Sequence, residues 1–166
     1  MKNIFLIFAL ALLTSCQAQD KQFTKEALSQ KLVSLEGNDV DFASIIKRHE
    51  GKTVLIEVWA SWCSDCVKAM PLLKDTQSKN PNVDYVFISM DKTADAWKKG
   101  IEKHALTGEH YWTPDGMKGA FGKSVDVDWI PRYIIVDASG KVIMYRAIEK
   151  DFEKIKTILK QQTAKK

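Results

Sequence analysis

Two cysteines, Cys63 and Cys66, are the residues of this chain best suited to chemistry. Only two residues separate them, so their sulfurs can close a small disulfide and open it again. Residues 53–58, just before them, are apolar and β-branched and predict a strand, and the residues just after predict a helix. A helix N-terminus carries partial positive charge and free N–H groups, which stabilise a thiolate. We therefore expect Cys63 to be the nucleophile and Cys66 to be the resolving thiol.

The same cysteine spacing also occurs in metal sites and in inert disulfides. A zinc site needs four ligands, but the sequence has no second cysteine pair, and its three histidines are scattered at His49, His104 and His110. Soft thiolates favour Cu(I), so a metallochaperone that holds copper on the two cysteines is the alternative function. A structural disulfide that never exchanges is a third hypothesis. We favour a redox dithiol that needs no metal and no organic cofactor.

Hydrophobic periodicity predicts the elements that must position this pair. Strands are predicted at residues 31–35, 53–58, 83–89, 109–112, 132–137 and 141–146. Helices are predicted after Asp41, at residues 67–80, 94–104 and 117–122, and after Asp151. Strands that alternate with helices imply parallel pairing and an α/β domain.

The motif W-A-S-W-C-S-D-C (residues 59–66), followed by Pro71 and later by Ile130 and Pro131, resembles the thioredoxin-like proteins, and most closely their TlpA/ResA type. Proteins of that type are tethered thiol–disulfide oxidoreductases that work outside the cytoplasm. The resemblance covers about residues 31 to 160. It implies a thioredoxin-like fold with a mixed central β-sheet and helices on both faces. It also implies a cis bond before Pro131, which faces the cysteines, and a substrate-binding surface formed by Trp62, Ile130 and Pro131.

Glu57 interrupts the apolar strand that leads to the cysteines. An ionised carboxylate is costly to bury, so we expect its pKa to be raised, and such an acid beside a reactive group is a candidate site residue. By the resemblance, an acid at this position lies behind the cysteines and exchanges protons with the resolving thiol. The alternative is a glutamate at a bulge or at an ion-paired sheet edge. Phe87 stands where thioredoxins often carry a lysine, so Glu57 should be harder to ionise.

Ser64 and Asp65, between the cysteines, differ from the family's commoner dipeptides, which often end in proline. Asp65 places negative charge beside Cys63 and opposes a very low thiol pKa, although its attraction to the helix N-terminus partly offsets this. We therefore expect these two residues to tune a protein that reduces disulfides rather than a strong oxidant.

The N-terminal residues predict a targeting segment rather than part of the fold. Lys2 is followed by an apolar stretch at residues 4–13, which is shorter than the roughly 20 residues that span a bilayer. The following L-T-S-C resembles a bacterial lipobox, with cleavage before Cys16 and lipid on that residue; an ordinary secretory signal is the alternative. We expect a lipoprotein signal peptide at residues 1–15, a lipid anchor and tether at 16–30 and the thioredoxin-like domain at 31–166. The protein would then be anchored in the bacterial cell envelope and face the periplasm or the exterior.

Charge and length limit the remaining function classes. The 166 residues carry a net charge of +4, and the lysines and arginines are spread among acids, so we expect no nucleic-acid partner. The 151 residues after residue 15 suit one domain with its own core. We expect a monomer that acts on protein thiols or disulfides and exchanges electrons with a second thiol protein. Trp112 and Trp129 are predicted to be packing residues, and His104 and His110 to be surface or hydrogen-bonded histidines.

Overall fold

A seven-stranded mixed sheet forms the centre of the fold in the computed structural model, which describes residues 22–164. The strands are β1 (Lys31–Ser34), β2 (Asp39–Asp41), β3 (Val54–Trp59), β4 (Asp84–Ser89), β5 (Glu109–Trp112), β6 (Arg132–Val136) and β7 (Val142–Ala147). The helices are α1 (Lys25–Leu28), α2 (Phe42–Arg48), α3 (Ser64–Lys79), α4 (Ala94–His104), α5 (Ala120–Ser124) and α6 (Phe152–Thr163). A single 3₁₀ turn (Glu149–Asp151) precedes α6.

The strands lie in the order β2-β1-β5-β4-β3-β6-β7. β3, β4 and β5 run parallel because α3 and α4 carry the chain back between them, whereas the other neighbouring pairs are antiparallel. β3 lies between β4 and β6, and all six of its residues are buried. A strand covered on both faces needs apolar residues at almost every position, which explains the nearly continuous apolar run in the sequence.

The helices cover both faces of the sheet, as predicted. Successive residues of a strand point to opposite faces. On one face, the ring of Trp59 in β3 lies so close to Gly100 of α4 that an added Cβ would be 3.1 Å from it, and Tyr133 of β6 packs on Phe152 of α6 with ring centroids 5.1 Å apart. On the other face, Val54 of β3 lines a cavity with residues of α2. The mixed sheet and its helices confirm the predicted α/β, thioredoxin-like architecture.

Residues 22–30, which we assigned to a tether, belong in part to the folded domain. Thr24 caps α1 by accepting a hydrogen bond from the Ala27 N–H at 3.1 Å, and Ala27 has no exposed surface. Phe23 is 8% exposed and packs edge-on against Phe42 of α2, with ring centroids 4.8 Å apart. The predicted domain start at Lys31 is therefore too late, because this short polar stretch hides two core residues.

The predicted signal peptide and the lipidation residue Cys16 lie outside the described residues. Within residues 22–164, none of the helices has the length and apolar character needed to cross a membrane.

Candidate active site

The two cysteines lie where β3 gives way to α3. Cys63 is the N-cap of the helix, and its Sγ accepts a hydrogen bond of 3.1 Å from the Cys66 N–H, one of the free donors of the first helical turn. The helix thus begins three residues earlier than the predicted residue 67, so that the cysteine motif itself forms its first turn. The two sulfurs are joined in a disulfide. Cys63 is 6% exposed and Cys66 is completely buried, so Cys63 is the sulfur that a substrate can reach.

A buried carboxylate fixes the loop that precedes Cys63. Asp91 has no exposed surface, and its carboxylate accepts hydrogen bonds from the Ser61 N–H at 3.0 Å and the Ser61 hydroxyl at 2.7 Å. The hydroxyl of Ser89 donates to the same carboxylate at 2.9 Å, and the Trp112 indole N–H donates to the Asp91 carbonyl at 2.8 Å. Sequence reasoning missed Asp91, since nothing in the sequence links it to a serine 30 residues earlier.

A groove of about 240 Å³ lies beside the reachable sulfur. It is lined by Trp62, Cys63, Ser64, Asp65, Met117, Asp128, Trp129 and Ile130. Trp62 and Trp129 are each 55% exposed, although large apolar side chains are costly to leave in water. The prediction that Trp129 is a packing residue is wrong, because its side chain forms a wall of this groove. Trp112 does pack, as predicted, and stacks on Trp97 with ring centroids 6.2 Å apart.

The chain before β6 closes the groove on its other side. The Ile130-Pro131 bond is cis, as the resemblance implied, and both residues are buried. The Ile130 carbonyl oxygen lies 3.5 Å from Cys63 Sγ. Trp62, Ile130 and Pro131, predicted to bind substrate, therefore meet around Cys63 even though almost 70 residues of sequence separate them.

Two arginines hold the loop that carries Trp129. Arg132, only 5% exposed, donates to the Asp128 carboxylate at 2.5 Å and to the Arg146 carbonyl at 2.7 Å. Arg146 pairs with Asp128 at 2.5 Å and with Asp126. The hydrogen bond from Arg146 is the main reason that the pKa of Asp128 lies below its usual range. Trp129 is thus placed between an anchored aspartate and a buried isoleucine.

Glu57 is the fourth residue of β3 and is 2% exposed. It is paired in register with Phe87 of β4 and with Tyr133 of β6, whose hydroxyl donates to Glu57 Oε1 at 3.2 Å. Burial raises the pKa of Glu57 to about 8, and the Tyr133 hydrogen bond opposes that rise. The expected raised pKa is confirmed, and regular pairing on both sides excludes the bulge or sheet edge that we considered as the alternative.

Glu57 lies on the sheet face that the cysteine helix covers. It points to the same face as Trp59, two residues further along β3, and Trp59 packs on α4. α3 lies beside α4, since the Gln77 side chain donates to the Thr107 carbonyl just beyond α4 at 2.7 Å, and Val67 and His104 line one cavity between the helices. The buried acid and the buried end of the disulfide thus share one side of the sheet.

The two residues between the cysteines face outward. Ser64 is exposed, and Asp65 lies in the first turn of α3, where a carboxylate interacts favourably with the helix dipole. Lys68 lies 3.5 Å from the Asp65 carboxylate, with both side chains substantially exposed. The tuning role of Ser64 and Asp65 stays a prediction.

The three histidines belong to different elements: His49 follows α2, His104 ends α4 and His110 lies in β5. His110 is 6% exposed, stacks on Phe87 with ring centroids 4.9 Å apart, and has Nε2 3.3 Å from the Leu106 carbonyl. His49 lies beside Asp84. Across residues 22–164, no three histidine, cysteine or acidic side chains are arranged to hold a metal ion.

The architecture and the cysteine motif agree with comparisons to known proteins. The model of a family described as thioredoxin-like matches residues 51–142, more than half of the sequence. The matched region includes both cysteines, Glu57 and the Ile130-Pro131 bond. The chain therefore belongs to the thioredoxin-like family.

Similar proteins indicate which type of thioredoxin-like protein this chain is. The thiol-disulfide oxidoreductase ResA of Bacillus thuringiensis subsp. konkukian is 27% identical over 141 residues, covering 84% of this chain and 78% of the relative. The soluble secreted antigen MPT53 of Mycobacterium bovis is 28% identical over 139 residues, covering 82% of this chain and 72% of the relative. The protein is thus of the TlpA/ResA-like type that its cysteine motif suggested.

Solved structures give the same fold. A secreted Mycobacterium tuberculosis disulfide oxidoreductase, described as homologous to Escherichia coli DsbE, superposes with a TM-score of 0.65 at 21% identity, covering 83% of this chain and 99% of the other. The thioredoxin domain of a thiol-disulfide oxidoreductase from Bacteroides vulgatus gives a TM-score of 0.64 at 25% identity, covering 78% and 92%.

Proposed function

We propose that this thiol–disulfide oxidoreductase reduces protein disulfides outside the cytoplasm. The observation that carries the proposal is the Cys63–Cys66 disulfide, whose one reachable sulfur lies in a groove between two exposed tryptophans. The similarity to ResA supports the same chemistry. The protein acts as a monomer, on protein thiols or disulfides, and needs no metal or organic cofactor.

The reduced protein begins the reaction. The Cys63 thiolate attacks one sulfur of a substrate disulfide, so that a mixed disulfide forms and the other substrate sulfur leaves as a thiolate that takes a proton. Glu57 then accepts the proton of the Cys66 thiol. The Cys66 thiolate attacks Cys63 Sγ, closes the Cys63–Cys66 disulfide and releases the second substrate sulfur. Two electrons pass to the substrate, and a donor dithiol protein restores the reduced state by the reverse steps.

The groove favours an extended substrate segment. The backbone at Ile130 and Pro131 offers an edge along which a peptide can lie, with its sulfur placed at Cys63. Trp62 and Trp129 can cover the substrate side chains on either side of that sulfur. Substrates are therefore proteins whose reactive cysteines lie in unfolded or exposed segments.

A lipid anchor on Cys16 would hold this domain in the cell envelope, facing the periplasm or the exterior. The lipobox-like sequence supports it, and the relative called a secreted antigen supports an extracytoplasmic location. Mass spectrometry of the protein from a bacterial membrane fraction should find a lipidated N-terminal Cys16, and Cys16→Ala should release the protein into the soluble fraction. An unmodified Cys16 in released protein would instead indicate an ordinary secretory signal.

The deciding experiment measures the reduction potential of the Cys63–Cys66 pair in metal-free Cys16→Ala protein. A value near or below about −250 mV supports a reductase, whereas about −120 to −180 mV would reverse the proposed direction of electron flow. Cys66→Ser should not equilibrate as a dithiol and is the control. Purified protein that retains Cu(I) on both thiols and fails to exchange would favour the copper-binding alternative.

A further inference from the structure

The two carboxylate oxygens of Glu57 differ in their surroundings. Oε1 accepts the hydrogen bond of 3.2 Å from the Tyr133 hydroxyl. Oε2 is buried and, within the described residues, has no hydrogen-bond partner. A buried polar oxygen without a partner is destabilising, so its persistence in a central strand calls for a functional explanation.

The Tyr133 hydroxyl is a permanent donor. Tyr133 has no exposed surface, and burial, together with the nearby Glu57, raises its pKa far above the usual range, so the phenol keeps its proton. Because Oε1 is occupied as an acceptor, the proton of the neutral carboxyl group belongs on Oε2. The hydrogen bond thus gives the two oxygens of Glu57 different roles: Oε1 is held by Tyr133, and Oε2 is free to exchange a proton.

We propose that Tyr133 is a positioning residue, which holds Oε1 of Glu57 and leaves Oε2 as the oxygen that exchanges a proton with Cys66. This inference rests on the proposed function, since it assigns a partner to the acid of that mechanism. β6 therefore serves the reaction at two points, because Pro131 lies just before its first residue and Tyr133 is its second residue.

The surroundings of Glu57 make this hydrogen bond the main support for its ionised form. β4 presents Phe87, and α6 presents Phe152, which packs on Tyr133. Titratable groups on the same sheet face are the cysteines of α3, Tyr85 of β4, which donates to α3, and His110 of β5, which stacks on Phe87. Glu149 of the 3₁₀ turn places a negative charge that acts on Tyr133. Among residues 22–164, no basic side chain contributes to the shifted pKa of Glu57.

The proton transfer from Cys66 to Glu57 breaks one bond and forms one bond. As the mixed disulfide resolves, the S–H bond of Cys66 breaks and an O–H bond forms at Oε2, which turns a carboxylate and a thiol into a carboxylic acid and a thiolate. No electrons are transferred until that thiolate attacks Cys63. The Tyr133 proton stays on its own oxygen throughout.

Tyr133→Phe in the full-length Cys16→Ala protein tests the proposal. The reduced protein is mixed rapidly with dithiobis(nitrobenzoate), which releases one coloured thiolate when Cys63 attacks and a second when Cys66 resolves the mixed disulfide. Without the hydrogen bond, the pKa of Glu57 rises, so the second phase should slow about tenfold at pH 7 and its pH profile should move up by about one pH unit. The first phase should keep its rate, and the second phase should approach the unsubstituted rate at high pH.

Two controls separate this role from a structural one. Tyr85→Phe removes a second buried tyrosine hydroxyl, which donates to the Thr76 carbonyl at 3.4 Å, and should leave both phases unchanged. Glu57→Gln should remove the pH-dependent step, and adding Tyr133→Phe to it should slow the second phase no further. A double variant slower than Glu57→Gln, or an unshifted profile in Tyr133→Phe, overturns the inference. A protein that shows no second phase even without these substitutions contradicts the proposed function instead.

Discussion

Glu57 and His49 are both buried titratable side chains, and each has one buried polar atom without a hydrogen-bond partner among the described residues, but His49 lies beside charged side chains whereas Glu57 lies beside a tyrosine hydroxyl. His49 follows α2 and is 6% exposed, with Nδ1 2.8 Å from Asp84 and Nε2 3.6 Å from Glu109. The Lys52 ammonium lies 3.0 Å from the other carboxylate oxygen of Asp84. Glu57 is 2% exposed and has one neutral donor and one bare oxygen.

The two residues lie toward opposite ends of the parallel strands. Asp84 is the first residue of β4, whereas the cysteines follow the last residue of β3. At the first end, Asp84 is paired with Lys52 and hydrogen-bonded to His49, so that removal of one partner would leave a polar group without its contact. At the second end, an acid is left without a counter-charge, which keeps its pKa close to the range in which thiols titrate. The contrast indicates that the domain is stabilised at one end and reactive at the other.

The largest effect should come from the cysteines themselves. Cys63→Ser should abolish disulfide reduction, because no other described thiol can attack the substrate, and Cys66→Ser should accumulate the mixed disulfide on Cys63. Mass spectrometry without reductant detects that adduct. His49→Gln, at the opposite end, should keep full turnover. A comparable loss of activity in that variant would contradict the division of the domain into a stabilising end and a reactive end.

Glu57→Gln should lower the activity of the protein and raise its stability. We expect resolution of the mixed disulfide to slow by about 10²-fold at pH 7, since a general base is lost. Because the pKa of Glu57 is raised from 4.5 to about 8, the native state keeps a proton that the unfolded state releases, and the free energy of unfolding falls as pH rises through that window. At about 1.4 kcal/mol per pH unit, the raised pKa lowers the free energy of unfolding by about 3 kcal/mol at pH 7. Glu57→Gln should restore that free energy.

Denaturant unfolding of the oxidised protein at pH 5, 7 and 9 measures that difference. His49→Gln should have the opposite effect and lose about 1 to 3 kcal/mol, because it leaves Asp84 and Glu109 without their buried partner. If both glutamine variants lost stability equally at pH 7, the buried oxygen of Glu57 would not destabilise the protein, and the contrast between Glu57 and His49 would be wrong.

Trp129→Ala should weaken substrate binding rather than chemistry. An exposed aromatic wall of a binding groove typically contributes enough to raise KM about tenfold, whereas the rate with a small disulfide should not change. Trp112→Ala is the control at a packed tryptophan and should destabilise the fold by about 3 to 5 kcal/mol instead. Steady-state kinetics with a protein disulfide and with oxidised glutathione separate the two effects.

Asp65→Asn should have the smallest effect. Removal of an exposed negative charge next to Cys63 stabilises the thiolate, so we expect the pKa of the Cys63 thiol to fall by up to about half a pH unit, with a slightly less reducing pair. The pH dependence of thiol alkylation measures it. Asp75→Asn on the same helix, which breaks an equally exposed pair with Lys79, should change nothing; an equal shift in both variants would show a general charge effect.

Local sequence was enough to predict most of the framework. The apolar run of β3 and the spacing of the two cysteines depend on neighbours within one element, and the ends of α4 and β5 were predicted to the residue. The raised pKa of Glu57 followed from a single carboxylate in an otherwise apolar central strand. The short helix α1 was missed because four residues with one buried alanine give no detectable periodicity.

The tertiary structure decided which distant residues serve the cysteines. Asp91 accepts a hydrogen bond from Ser61, which lies 30 residues earlier in the chain. The hydroxyl of Tyr133 donates to Glu57, which lies 76 residues earlier. Trp129 forms a wall of the groove because two arginines anchor its loop. The sequence by itself determined the reactive pair, its supporting strand and helix, and the acid in that strand, since each is encoded by residues close together in the chain. Partners across the sheet depend on strand order and register, which arise only when the whole core is packed.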